Sequence, residues 1–275
     1  MAKKPAKPAS ILRPMPALQV DQAALQQWGA VWRGNAGSLT KKGIVPAKQP
    51  DRFDKKQGMD FGLIFDTAFA DALAVMLGNI PVVDPVNDSL LPPPNHPNCV
   101  ERGKTRIVGG IRPQNYDAAY RPDGPRVVYD SKTLNDQKSI GKNWQNMVND
   151  LATEASTVHT RFPYCIVAFI VILPKPALQP SQARALVRTL ERLGSRDDEL
   201  DQHHLAEAIA MCVWDPDTGQ IDPNLPEPGN VLRIENLPSR IYPAYLDRYK
   251  NLPPHEAEEA VDAAEDDDDA GDGVI

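Results

Sequence analysis

The 275-residue chain is 41% hydrophobic with a formal charge of −7, enough for one large domain or two small ones. No apolar run approaches the roughly 18 residues that a membrane span needs, and the basic start MAKKPAKPAS lacks the apolar stretch of a secretory signal. Three scattered cysteines, Cys99, Cys165 and Cys212, exclude a disulfide framework. The expectation is a soluble, cytoplasmic protein with no membrane partner. Ten acids and no bases lie between Glu256 and Asp272, so setting them aside moves the remaining chain from −7 to +3. A nucleic-acid partner therefore remains compatible with the overall charge.

Residues 1–20, rich in Lys, Pro and Ala, read as irregular. Asp21–Arg33 places Ala24, Leu25, Trp28, Val31 and Trp32 at helical spacing, with Asp21 as N-cap. The polar stretch Gly34–Lys56 reads as a linker. Asp60–Leu77 is a strong helix with Gly78-Asn79 as its stop, and its Asp66 and Asp71 are additional candidate carboxylates. Pro81–Pro97 is irregular, and Lys104–Ile111 is a short strand. Ser139–His159 repeats Ile140, Trp144, Met147, Leu151, Ala155 and Val158 at three and four residues, an amphipathic helix capped by Ser139. Tyr164–Leu173 has the continuous apolar character of a strand buried on both faces. Ser181–Leu193 is a second amphipathic helix carrying Arg184, Arg188 and Arg192 on one ridge. Ala206–Trp214 and part of Val231–Tyr249 read as further strands. The tail beyond Pro253 cannot bury enough apolar surface to fold by itself.

The most informative stretch is Asn115–Lys132, NYDAAYRPDGPRVVYDSK. Tyr116–Tyr120 and Arg126–Ser131 form a hairpin around Pro-Asp-Gly-Pro, whose residues suit a turn. Folding about Asp123 brings Asp117 opposite Tyr129 and Asp130, and strand alternation puts Asp130 and Lys132 on one face. Two carboxylates with a lysine at one end of a sheet suit a hard divalent cation next to a phosphate or water. Asp123 is the alternative acid, because Pro122-Asp123 is a literal Pro-Asp pair, but the turn would carry it away from the cluster.

Asp117, then Asp130-Ser131-Lys132 on a strand, then an amphipathic helix and a buried strand resemble the PD-(D/E)xK nuclease superfamily. Size and compactness make a type II restriction endonuclease the nearest likeness. The resemblance implies an α/β fold, a restriction-endonuclease-like mixed β-sheet flanked by helices. An otherwise irregular N-terminal arm with one short helix (1–58) would precede the nuclease-like domain (59–250), and a disordered acidic C-terminal tail (251–275) would follow it. It also implies hydrolysis of double-stranded DNA to 5′-phosphate and 3′-hydroxyl ends. Asp117, Asp130 and the Ser131 carbonyl would hold Mg²⁺ or Mn²⁺, and Lys132 would hold the water or the scissile phosphate. Lys138, Lys142, Gln145, Asn146 and Asn149 are candidates for backbone contacts, and a palindromic target would call for a homodimer. The competing expectation is a non-catalytic DNA-binding or assembly protein on the same scaffold.

Overall fold

The structure, a computed structural model, describes residues 11–34, 38–40, 43–45 and 50–255. The acidic tail from Glu256 lies outside the described residues, as does the start of the N-terminal arm. Residues 11–20 are irregular but anchored: Met15 is buried, and the Arg13 N–H donates to the Met76 carbonyl at 2.9 Å. Helix α1 (Gln22–Trp32) is capped by Asp21, whose carboxylate accepts from the Ala24 N–H at 3.0 Å. A small ladder joins β1 (Ser38–Thr40) to β2 (Gly43–Val45).

Helix α2 (Lys55–Met76) begins five residues before the expected Asp60, so the boundary expected at residues 58 and 59 falls within it. Asp54 and Gln57 form a reciprocal capping box, each side chain accepting from the other's backbone N–H at 2.8 Å. That satisfies two donors that would otherwise be orphaned at the helix start.

The main sheet comprises β3 (Val82–Val83), β4 (Val100–Val108), β5 (Pro113–Tyr120), β6 (Val127–Thr133), β7 (Ile166–Pro174) and β8 (Ala208–Trp214), side by side in chain order. β4, β5 and β6 pair antiparallel, whereas β3–β4, β6–β7 and β7–β8 pair parallel. The sheet is therefore mixed. All nine residues of β7 are buried, as its unbroken apolar run requires between two helical layers.

The layers follow from the period-two alternation of β6. Tyr129 stacks on Phe69 of α2 with ring centroids 4.0 Å apart. Lys132 reaches Glu154 of α3 (Gln137–His159) on the other face. The cap of α3 is Asp136 rather than the expected Ser139: the Asp136 carboxylate accepts from the Lys138 and Ser139 N–H groups, both at 2.9 Å. Ser139 instead completes the capping box from the third helical position. Helix α4 (Pro180–Leu193) packs beside α3 and against β8.

Val231–Tyr249 supplies no strand, contrary to expectation. It forms a single 3₁₀ turn followed by helix α5 (Leu237–Tyr249), which packs on β7 and β8. Leu237, Ile241, Tyr245 and Tyr249 recur every fourth residue and are buried together. Pro238 sits in the first turn, where its missing N–H costs nothing. The aromatics and the interior Pro243 disguised this helical spacing. Among the described residues no helix is long and apolar enough to cross a membrane.

Two buried ionic knots tie loops to this frame. Arg121 forks onto Glu101 at 2.6 and 2.9 Å and donates to the carbonyls of Ser89 and Leu91. At the start of β8, Glu207 pairs with Arg196, with Arg248 at 2.8 Å and with His159 at 3.4 Å.

Candidate active site

The site arises where two strands part. The β5–β6 register runs Tyr120↔Val127, Ala119↔Val128, Ala118↔Tyr129 and stops there. β6 continues to pair with β7 through Thr133, so one edge of β6 loses its ladder from Asp130 onward. Asp117 occupies this fork and replaces the lost partner: its Oδ2 accepts from the Ser131 backbone N–H at 3.0 Å and from the Ser131 hydroxyl at 3.2 Å. In a strand a residue's N–H and C=O point to the same edge. The Ser131 carbonyl therefore faces the fork as well.

Asp130 and Lys132 share the α3 face. The Lys132 ammonium pairs with Asp130 Oδ2 and lies 2.9 Å from Glu154 Oε1. Gln114 Nε2 donates to the same Glu154 oxygen at 3.1 Å, and the Tyr116 hydroxyl donates to the Glu154 backbone carbonyl at 2.9 Å. Glu154 Oε2 is buried without a hydrogen-bond partner. On the α2 side Asp66 is buried, and its Oδ1 also lacks a partner. Small residues let α2 approach: a Cβ on Gly62 would stand 3.2 Å from Ser131 Oγ, and one on Gly58 would stand 2.8 Å from Asn135 Nδ2. Asn135 is fixed in turn by α1, because the Trp32 indole N–H donates to its carbonyl at 2.6 Å.

Burial and mutual repulsion dominate the electrostatics. Burial pushes Asp66 up to about 8, reinforced by the Asp117 carboxylate and partly offset by the hydroxyls of Ser131 and Tyr129. Asp117 is likewise pushed up to about 8 by burial and by Asp130. Asp130 rises to about 6 through burial, with Asp117 and Lys132 pulling the other way. These neighbours titrate as a coupled set rather than singly. Although burial would lower it, Lys132 is held above its ordinary value by Asp130 and Glu154. The site therefore carries more carboxylate than its one ammonium can neutralise.

Asp123 stands apart at the tip between the strands, mostly exposed and paired with Arg126 at 2.6 Å. The structure thus places Asp117, not Asp123, beside Asp130. Lys138, Lys142, Gln145, Asn146 and Asn149 are all exposed on α3. At 100° per residue they sit about 80° or more around the helix from Glu154, on its outer side. They are not gathered into the carboxylate cluster. Arg184, Arg188 and Arg192 are exposed on α4 opposite its buried Ala183, Leu186, Leu190 and Leu193 stripe. Asp71 is exposed and outside the site.

Among the described residues no three His, Cys, Asp or Glu side chains form a group able to hold a metal ion. What the fork offers is two carboxylates and a strand carbonyl. That is the scale of protein ligation Mg²⁺ accepts, since it retains several waters. Glu154 is the member of this buried cluster that strand and hairpin patterning miss. Its signal was an acid set in the apolar stripe of α3 among Leu151, Ala155 and Val158. Comparison with family models, curated proteins and solved structures finds no match to this chain.

Proposed function

We propose that this protein is a divalent-cation-dependent endonuclease of double-stranded DNA, built on a restriction-endonuclease-like fold and most like a type II restriction enzyme. The observation that carries the reading is the fork, where Asp117 and Asp130 meet beside Lys132 and the Ser131 carbonyl. The element order around it supports the same reading: a helix, three antiparallel strands, a helix and a parallel strand.

The donor set fits a hard cation. Buried carboxyls whose protons are held above the usual range, and an orphaned Asp66 oxygen, are groups that a divalent charge would satisfy. Asp117, Asp130 and the Ser131 carbonyl would hold Mg²⁺ or Mn²⁺. When bound, such an ion lowers the pKa of a coordinated water and offsets charge gathering on the phosphate. Lys132, kept protonated by its two carboxylates, orients the water or the scissile phosphate and supplies positive charge there. Asp117 keeps Ser131 in register, and Tyr116 and Gln114 hold Glu154. Lys138 and Lys142, exposed on the outer side of α3, would be the candidates for backbone-phosphate contacts, and a homodimer would match a palindromic target.

The test is incubation with mixed plasmid DNA and Mg²⁺, followed by sequencing of fragment ends. Cation-dependent cutting at a recurring sequence with 5′-phosphate ends is expected; no cutting with Mg²⁺ or Mn²⁺ overturns the reading. Two further results are expected. At a hundred times its dissociation constant Mg²⁺ should stabilise the fold by about 2.7 kcal/mol. For a chain of this size that is a rise of roughly 5–10 °C in melting temperature, which Asp117→Ala with Asp130→Ala should remove. Lys138→Gln with Lys142→Gln should reduce the slope of log affinity against log salt by about 1.8, as two lost phosphate contacts require.

A further inference from the structure

We propose that Glu154 is a positioning residue that keeps Lys132 in the cleavage site when Asp130 is engaged by a cation. The inference rests on the nuclease reading for its purpose and on the geometry of α3 for its substance. Asp130 has two claims on it: its carboxylate faces the fork beside Asp117, and it is also a counter-ion of Lys132. A divalent charge at the fork would take up the first role and weaken the second, since cation and ammonium repel each other across a short distance. With Asp130 as its sole anchor, Lys132 would be driven from the phosphate it must meet.

Glu154 removes that conflict. Its Oε1 accepts from Lys132 at 2.9 Å while lying on a different element from either fork aspartate. Gln114 Nε2 donates to Oε1 at 3.1 Å, and Tyr116 donates to the Glu154 carbonyl, so β5 fixes the acid from two directions. The residue is buried, which strengthens its hold on the ammonium and shields it from salt. Lys132 thus has one partner at the fork and a second on α3 that β5 holds in place.

The test is a double-mutant cycle of Glu154→Gln and Lys132→Met on the full chain, read by DNA cleavage, Ca²⁺ binding and thermal unfolding. Glu154→Gln is expected to slow cleavage by about 10–100-fold, the range for losing a group that orients a site residue. In the Lys132→Met background the same change should alter the rate by no more than about twofold, because the residue it positions is already gone. Ca²⁺ alone should bind Glu154→Gln and the wild type with equal affinity. The drop in melting temperature caused by Lys132→Met should shrink when Glu154 is already Gln, since one buried carboxylate fewer is stranded. Additive rate losses, or Ca²⁺ binding tenfold weaker in Glu154→Gln, would overturn the proposal and mark Glu154 as an independent ligand. A wild type that cuts no DNA would refute the nuclease reading. The unfolding measurement would still decide whether Glu154 anchors Lys132, with independent effects of the two changes counting against it.

Discussion

Lys132→Met and Asp130→Asn are each expected to slow Mg²⁺-dependent plasmid cleavage by about 10²–10³-fold or more, the cost of removing one preorganised charge from a reacting centre. Lys132 is the ammonium at the fork, and Asp130 is the carboxylate that would hold a cation together with Asp117. The two variants should differ in kind. Asp130→Asn should also raise the Mg²⁺ concentration needed for half-maximal activity, whereas Lys132→Met should lower the maximal rate with little change in that concentration. Asp123→Asn serves as the control, because Asp123 projects from the loop tip and binds Arg126. Its cleavage rate should stay within about twofold of the wild type. Equal cleavage by all four proteins would remove Asp130 and Lys132 from the site.

Glu207→Ala is expected to lower stability by about 3–5 kcal/mol, the cost of breaking a buried ionic cluster from one side. The change strands Arg196 and Arg248, both buried, and removes the carboxylate oxygen that accepts from the Val167 N–H at 2.8 Å. Melting should fall by roughly 6–20 °C. The same residue sets an acid limb. Burial opposes its charge, yet His159, Arg248 and Arg196 outweigh burial and bring it from 4.5 down to about 2. A carboxyl that releases its proton more readily when folded stabilises the fold fully above its unfolded value. That contribution, about 3 kcal/mol, is lost as pH falls from 4.5 toward 2. Glu207→Gln should flatten this part of the stability curve; an unchanged acid limb would refute the assignment.

The hairpin was legible because local chemistry sets it: Pro-Asp-Gly-Pro turns the chain, and the β-rich flanks alternate. Asp130 and Lys132 followed, since two residues apart on a strand share a face. So did the position of Asp117, rather than Asp123, beside Asp130, which needed only a count from the turn. β7 was readable from its unbroken apolar run, and α2 from its period, although its true start required recognising Asp54 and Gln57 as a box. Glu154 was legible only as an acid within the apolar stripe of α3; its meeting with Lys132 was not. Its role depends on where α3 crosses the sheet, and twenty-one residues separate it from Lys132. The α5 helix was hidden by Pro243 and three tyrosines, which favour extended structure when weighed singly. Packing against β7 and β8 outweighed those preferences.

The order of strands across the sheet, identical to their order along the chain, bears on how the protein is made. Each new strand finds its neighbour among segments that have already left the ribosome, so the sheet can grow from β3 toward β8 without waiting for a distant partner. Loop closure stays short in the antiparallel half and lengthens at the irregular connection 84–99 before β4 and at the two helical crossovers. The vulnerable moment comes after β7 emerges, when a wholly apolar strand has one edge open until β8 covers it. Mutations that weaken β8 or its Glu207 knot should therefore reduce the yield of folded protein in cells more than equilibrium unfolding alone would suggest.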